Sequence, residues 1–412
     1  MGNFSIALSG LQANSVALNT IGNNLANLNT TAFKGQTTAF EDLFYQQIGQ
    51  SGSGDAIQLG AGTRVSGTST DFTEGTILPD SNSNSADMAL AGNGFFVVQQ
   101  GGVQSLTRAG NFQLSSNGNL ITQDGQQVMG YAAVNGVVNQ NSSLSPITIP
   151  VGLNEGAQAT QNFSITTNLN SNATVGTPYS TPVKIFDSLG QSHQATVSYT
   201  KTGTNTWSYS VDLPAGDYAP GTATNNTGTL TFDTSGNLVS PTGSVNNITF
   251  SGLTDGASNL SFNWNLNNSS GTPTISQLAA ASSNTANSQD GFTSGVYQSF
   301  VVDSAGVITA QFSNGRTSTV GQLAVATVAN TAGLTASGGN NFMTTAASGL
   351  ATVGVAGAGG RGTLDDGALE QSNVNISTEF SNLIVAQRAF EANSKTVTTF
   401  DTISQDVLSM VR

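Results

Sequence analysis

The 412-residue chain has no cysteine, a single histidine, and only ten lysines and arginines. Without cysteine there is no disulfide framework, thiolate metal site or thiol nucleophile, so stability has to come from packing and strand pairing. The basic side chains stand singly at Lys34, Arg64, Arg108, Lys184, Lys201, Arg316, Arg361, Arg388, Lys395 and Arg412. Phosphates would find no basic patch, and no nucleic-acid partner is expected. Charged residues make up 8% of the chain, against about 25% in ordinary soluble domains. No apolar run is long enough to cross a bilayer, so no membrane insertion is expected. The first positive side chain is Lys34; if the protein leaves the cell, the expected route does not use a cleaved signal peptide.

What fills the chain instead is glycine, asparagine, serine and threonine, with hydrophobic residues at 37%. That is too apolar for disorder, and the apolar residues fall in short runs separated by turn formers. At this length two or three domains with their own cores are expected.

Two periods are legible. From Asn3 to about Leu28, Phe4, Ala7, Leu11, Leu18, Ile21, Leu25 and Leu28 recur every three or four residues, with Asn14 as the one polar member. This spacing predicts a helix with a heptad seam. Gly10, Gly22 and the uncharged polar faces make it marginal on its own. From about Ser377 to Arg412 a second helix is predicted, with Ile376, Leu383, Phe390, Val397 and Val411 at multiples of seven and Ser404 breaking the row. Its other stripe (Phe380, Gln387, Ser394, Asp401, Leu408) is mostly polar.

Between the ends the period drops to two. Strand-like runs such as 94–99, 106–114 and 120–122 are separated by Asn-Gly and Asp-x-x-Gly turns, with echoes at 230–237 and 300–306. Residues 154–287 are richest in Asn, Thr and Ser and hold both tryptophans, Trp207 and Trp264, as expected core anchors of an inserted β-domain. Gly- and Ser-rich stretches at 50–54 and 354–362 lie just inside the helical ends. The expected fold is mainly β with helical termini, in which paired end helices carry two nested β-rich domains. The expected parts are a coiled-coil domain at 1–30 and 375–412, connectors at 31–70 and 355–374, a first β-domain at 71–150 and 290–354, and an outer domain inserted at 151–289.

Candidate chemistry is sparse. Gly357 to Gly362 matches a dinucleotide fingerprint on paper, but Thr363-Leu364-Asp365-Asp366-Gly367 does not open a helix that could receive a pyrophosphate, so a flexible connector is expected. His193 has no second imidazole and no cysteine beside it, which reads as a surface or turn histidine. Asp124, Asp233 and Asp303 lack the spaced ligands of a calcium loop and read as turn formers. The carboxylate pairs Glu41-Asp42 and Asp365-Asp366 are neighbours in sequence that point apart. No catalytic, cofactor or metal site is expected.

The segment Asn23-Asn24-Leu25-Ala26-Asn27-Leu28-Asn29-Thr30-Thr31-Ala32-Phe33-Lys34 resembles the signature of the rod, hook and hook-associated axial proteins of the bacterial flagellum, with Ala32 where glycine is more usual. Residues 90–98, Thr107-Arg108-Ala109-Gly110-Asn111-Phe112, Gly367-Ala368-Leu369-Glu370-Gln371-Ser372-Asn373-Val374 and 386–393 are similar to the same family. The long middle, with residues 183–190, Thr206-Trp207 and 303–326, looks like that of hook proteins rather than of the shorter distal rod proteins.

The resemblance implies a self-assembling subunit of a flexible helical tube that transmits torque from rod to filament and encloses the export channel. It implies a homo-oligomer with distal rod, hook cap, hook-associated junction proteins and the export apparatus as partners, in an extracellular appendage. Assembly residues are then expected at Phe4, Leu11, Leu18, Ile21, Leu25, Leu28, Ile376, Phe380, Leu383, Phe390, Val397 and Leu408, and family-motif residues at Asn23, Asn24, Ala26, Asn27, Asn29, Thr30, Phe33 and Lys34. A distal rod protein is the nearest alternative. A secreted β-rich adhesin or fibre protein would explain the composition but not matched heptad ends.

Overall fold

The computed structural model describes residues 2–50, 52, 56–80 and 86–410. Val411, Arg412 and part of the Gly- and Ser-rich stretch at 50–54 lie outside the described residues. The chain is mainly β with a helix at each end and divides into two compact units. The first comprises Met1–Val151, Ser299–Ala310 and Thr317–Arg412; the second comprises Gly152–Gln298 and Gln311–Arg316.

In the first unit, α1 (Gly2–Ala26) and α2 (Ile376–Met410) pack antiparallel. Asn375 starts α2 as its N-cap, its Oδ1 accepting the N–H groups of Ser377 and Thr378. The seam between the helices differs from the expected one. On α1 the buried positions are Ala7, Gly10, Ala13, Ala17, Thr20 and Asn24, while Phe4 is exposed and Leu11, Leu18, Ile21 and Leu25 are half-buried. The reason is close approach: a Cβ on Gly10 would lie 2.8 Å from Asn393 Oδ1. Small side chains occupy the seam and the large ones its flank.

The segment 31–70, expected as a connector, is largely strand. Gln36–Asp42 pairs with Thr63–Thr70, and Gln46–Gln50 with Ala56–Leu59. The ladder leans on α1, where the Thr38 hydroxyl donates to Thr20 Oγ1 and the Thr63 N–H donates to Ser9 Oγ. Threonine-rich, β-branched composition favours extended backbone here.

Outgoing and returning chain meet strand by strand. Ile77–Pro79 pairs antiparallel with Ala368–Glu370, and Met88–Ala91 with Thr363–Asp366. The glycines at 357–362 form a turn rather than a loose connector: the Gly357 N–H reaches the Gly362 carbonyl at 2.8 Å, and the Gly362 N–H reaches Asn93 at 2.7 Å. A Cβ on Gly362 would stand 2.1 Å from the Ala91 carbonyl oxygen, so this glycine serves a close backbone approach. A strand follows it, not a helix. Behind these ladders Phe95, Val97, Leu106, Met129, Tyr131, Ala324, Ala326 and Phe342 form a core. Phe72, Phe95 and Phe342 pack edge to face within it.

The second unit has two five-stranded sheets. One is an antiparallel meander from Pro178–Phe186 through Ser192–Gly203, Thr206–Asp212 and Thr227–Phe232 to Leu238–Ser240. In the other, Asn162–Asn170 runs parallel to Leu260–Asn265 and to Ile275–Leu278, a feature that hairpin signals alone do not predict. Strict alternation along the strands buries Val183, Ile185, Val197, Tyr199, Val211, Phe163 and Phe262 around Trp207 and Trp264. Asp233 and Asp303 are turn formers, each Oδ1 accepting the N–H two and four residues on.

Both tryptophans lie in this unit, so their fluorescence reports its unfolding alone. Leu230→Ala, which truncates a fully buried side chain opposite Trp207, should lower its stability by about 2–5 kcal/mol. Denaturant titration followed by tryptophan emission checks this. A midpoint unchanged from that of the parent protein would contradict the assigned core.

Candidate functional site at the junction of the chain ends

The asparagine-rich segment after α1 is a hydrogen-bonding device. Asn24 accepts the Gln36 N–H at 2.9 Å and donates to the Gln36 carbonyl at 2.8 Å and to Glu379 Oε1 at 3.3 Å. It thereby fixes the chain leaving α1 to the first turn of α2. Asn27 reaches back to Asn23 and accepts from Thr30, which closes the turn. Ala32 has φ 54°, the left-handed region where glycine is most at ease; its N–H donates to the Glu370 carbonyl at 2.8 Å. Gly35 N–H bonds Asn373 Oδ1, and Asn373 in turn donates to the carbonyls of Asp71 and Thr73. Of the motif residues, Asn24 and Lys34 are buried, Asn27, Thr30 and Phe33 are half-buried, and Asn23, Ala26 and Asn29 are exposed.

At the centre stands a buried ion triad. Lys34 Nζ lies 2.7 Å from Glu370 Oε1, and Arg108 Nε lies 2.9 Å from Glu370 Oε2, with Lys34 and Glu370 side chains 1% and 0% exposed. No donor is wasted. Lys34 also donates to the Thr73 carbonyl, and Arg108 donates to the carbonyls of Leu90, Gly92 and Gly94. Glu370 Oε1 takes a further bond from the Gly75 N–H. Burial pulls the Lys34 ammonium below the usual lysine range, against the opposing pull of Glu370. Burial alone would push Glu370 up, but Arg108 and Lys34 hold its carboxyl below the usual range. Two cations share one carboxylate, so the carboxylate is the better stabilised partner and stays ionised. A cleft of about 650 Å³ opens beside the triad, lined by Asp71, Phe72, Glu74, Asn93 and Phe95 among others.

The helix pair carries the second feature. Ile376, Phe380, Ile384 and Val385 form one exposed apolar ridge on α2, and Ile403, Val407, Leu408 and Met410 form another. The Asn24–Glu379 and Gly10–Asn393 contacts set an offset that leaves Thr402–Met410 beyond the start of α1, and every residue of that stretch is exposed. Of the expected assembly residues on α2, Leu383 and Val397 turn toward the seam, while Ile376, Phe380, Phe390 and Leu408 face outward. On α1, Phe4 and also Leu8 and Val16 are exposed.

A helix pair closed by an asparagine motif, with nested β-domains on the loop between, defines an axial protein of the flagellar rod and hook. Four family models match along the chain: flagella basal body rod protein at residues 4–34, flagellar hook protein FlgE/F/G D1 domain at 89–168, flagellar basal body protein FlaE D2 domain at 159–292, and flagellar basal body rod FlgEFG protein C-terminal at 365–410. The flagellar hook protein FlgE of Escherichia coli is 35% identical, with 99% of both chains covered. That of Salmonella typhimurium is 36% identical over 99% of both, and that of Treponema pallidum 31% over 98% of both. The crystal structure of Helicobacter pylori flagellar hook protein FlgE2 shares the fold, with a TM-score of 0.53 at 17% identity over 71% of this chain and 100% of that one. The chain belongs to the flagellar hook protein family and is a structural subunit of the hook.

Truncating Glu370 to alanine leaves two buried cations unpaired and should destabilise the first unit by about 3–5 kcal/mol. Lys34→Met, which leaves the Arg108–Glu370 pair intact, should cost clearly less. Because the folded-state pKa of Glu370 is depressed, its contribution is present above its unfolded value near 4.5 and is lost as pH falls through the folded value. Protection from hydrogen exchange across 77–79 and 368–370, taken relative to the intrinsic rate at each pH, should therefore fall in acid in the parent protein and much less in Glu370→Gln. An equal fall in both would show that another group governs the acid response.

Proposed function

We propose that this subunit polymerises through its terminal helices into the tubular hook, passes torque from rod to filament, and works through contacts between identical chains rather than by catalysis. The carrying observation is the pair of apolar ridges on α2, which stand exposed among the described residues. Exposed apolar rows of this extent mark an interface, and a second copy of the same helix pair is the complementary surface. A contact that repeats by rotation and rise without closing yields a helical tube. Export to a cell-surface appendage, and end-on partners among the distal rod, hook cap, junction proteins and export apparatus, follow from that role.

The small-residue seam bears on timing. Ala7, Gly10, Ala13 and Ala17 bury little apolar area, so α1 gains little stability from α2 alone. In dilute monomer the helix pair should exchange amide hydrogens faster than the β-domains, with strong protection arising on polymerisation. Protection of both ends in monomer equal to that of the β-cores would contradict this.

The experiment on function is assembly of the purified full chain, followed by sedimentation and electron microscopy. Replacing Phe380 and Leu408, which are 49% and 71% exposed, by serine should abolish tubes while leaving the monomer's β-rich circular dichroism unchanged. Tubes formed by the parent protein should persist between low and moderate salt, because an interface with so few charges is little screened. Unimpaired tubes from the double variant would overturn the helical interface.

A further inference from the structure

The inserted unit holds the chain's only histidine, and it is not on the surface. Ser192–Gly203 alternates, and His193 shares the inward parity of Ala195, Val197 and Tyr199, leaving its side chain 6% exposed. Three carboxylates from three segments surround the ring. Nδ1 lies 2.9 Å from Asp217 Oδ2, and Nε2 lies 3.1 Å from Asp187 Oδ2 and 3.5 Å from Asp255 Oδ2. Asp187 heads the turn after Pro178–Phe186, where its Oδ1 accepts the N–H groups of Leu189 and Gln191 at 2.8 and 2.9 Å, leaving Oδ2 for the ring. The loops carrying Asp217 and Asp255 are tied together, the Thr254 N–H donating to the Asp217 carbonyl at 3.0 Å and the Ala219 N–H to Gly252 at 2.9 Å.

An imidazole donates at most two hydrogens, and here three carboxylate oxygens face it. With Nδ1–H given to Asp217, Nε2 meets Asp187 and Asp255 together, and one proton at Nε2 can serve only one of them. Metal-ligating histidines characteristically donate their other ring N–H to a carboxylate, which presents the second nitrogen's lone pair to the ion. The ligand atoms of Asp187, His193 and Asp255 all lie within 4.8 Å of one another. Tetrahedral zinc with bonds of about 2.0–2.1 Å holds its ligand atoms about 3.4 Å apart, close to the two contacts made by Nε2. One imidazole nitrogen with two carboxylate oxygens suits a borderline cation better than hard calcium.

We propose that Asp187, His193 and Asp255 form a divalent-cation site of the zinc class, with Asp217 as the positioning residue for the imidazole. The ion cross-braces the 187–192 turn to the loops around 217 and 255 at one end of the inserted unit. Water takes the remaining coordination position.

The test uses the chelator-treated full chain with isotopically labelled histidine, whose single imidazole signal reports this site without any variant. On titration with zinc the signal should shift and saturate at one equivalent, and competition with a chromophoric chelator should return one zinc per chain. Asp255→Asn should weaken uptake at least ten-fold, whereas Asp233→Asn, in a turn elsewhere in the same unit, should not change it. No uptake, uptake that leaves the imidazole signal unmoved, or tighter binding of calcium than of zinc would each overturn the proposal. A signal that responds to pH alone would mean that a proton, not a metal ion, occupies Nε2.

Discussion

One carboxylate organises the first unit. Glu370 is fully buried and shared between Lys34, which follows the N-terminal helix, and Arg108, from the β-domain. A buried ion pair adds little stability over a well-packed apolar replacement, but removing one member leaves a charge with nowhere to go. Its effect is therefore on register. Only one alignment of the returning strand Ala368–Glu370 on Ile77–Pro79 satisfies both cations, the Gly75 N–H and the carbonyls that Arg108 gathers. Slipping that strand by one residue would turn Glu370 to the opposite face.

The register set at Glu370 propagates to the helices. Five residues after it stands the Asn375 cap of α2, and Asn373 and Glu379 reach back to Gly35 and Asn24. The offset of α2 against α1, and with it the overhanging Thr402–Met410, is thus held at the β-domain end by Asn24–Glu379 and along the seam by the close approach of Gly10 and Asn393. This division fits the proposed role, in which helices positioned in advance would gain their full burial from other copies. The inserted unit instead relies on apolar packing around Trp207 and Trp264.

Much of this was legible in the sequence. The change from heptad to two-residue period gave helical ends and a β middle, and the tryptophans marked the inserted core. Lys34, Arg108 and Glu370 each sat in a segment that resembles the axial family, yet nothing local says that they meet across separations of up to 336 residues; that contact is a product of topology. A heptad count picks out the large residues of α1, which are half-buried, whereas the close contact of Gly10 with Asn393 selects small ones where the two helices meet. His193 has no neighbouring ligands in sequence and so reads as a surface or turn residue, whereas the structure buries it; the sequence signal for that burial is its parity with Ala195, Val197 and Tyr199.

The most direct measurement is a double-mutant cycle on Lys34→Met and Glu370→Gln, with thermal unfolding of the first unit as the readout. If the carboxylate sets the junction, the two changes should be coupled by about 0.5–3 kcal/mol, the double variant being less destabilised than the two single losses added together. Strict additivity would mean that the charges only happen to be neighbours, and that the backbone ladders alone hold the ends of the chain in place.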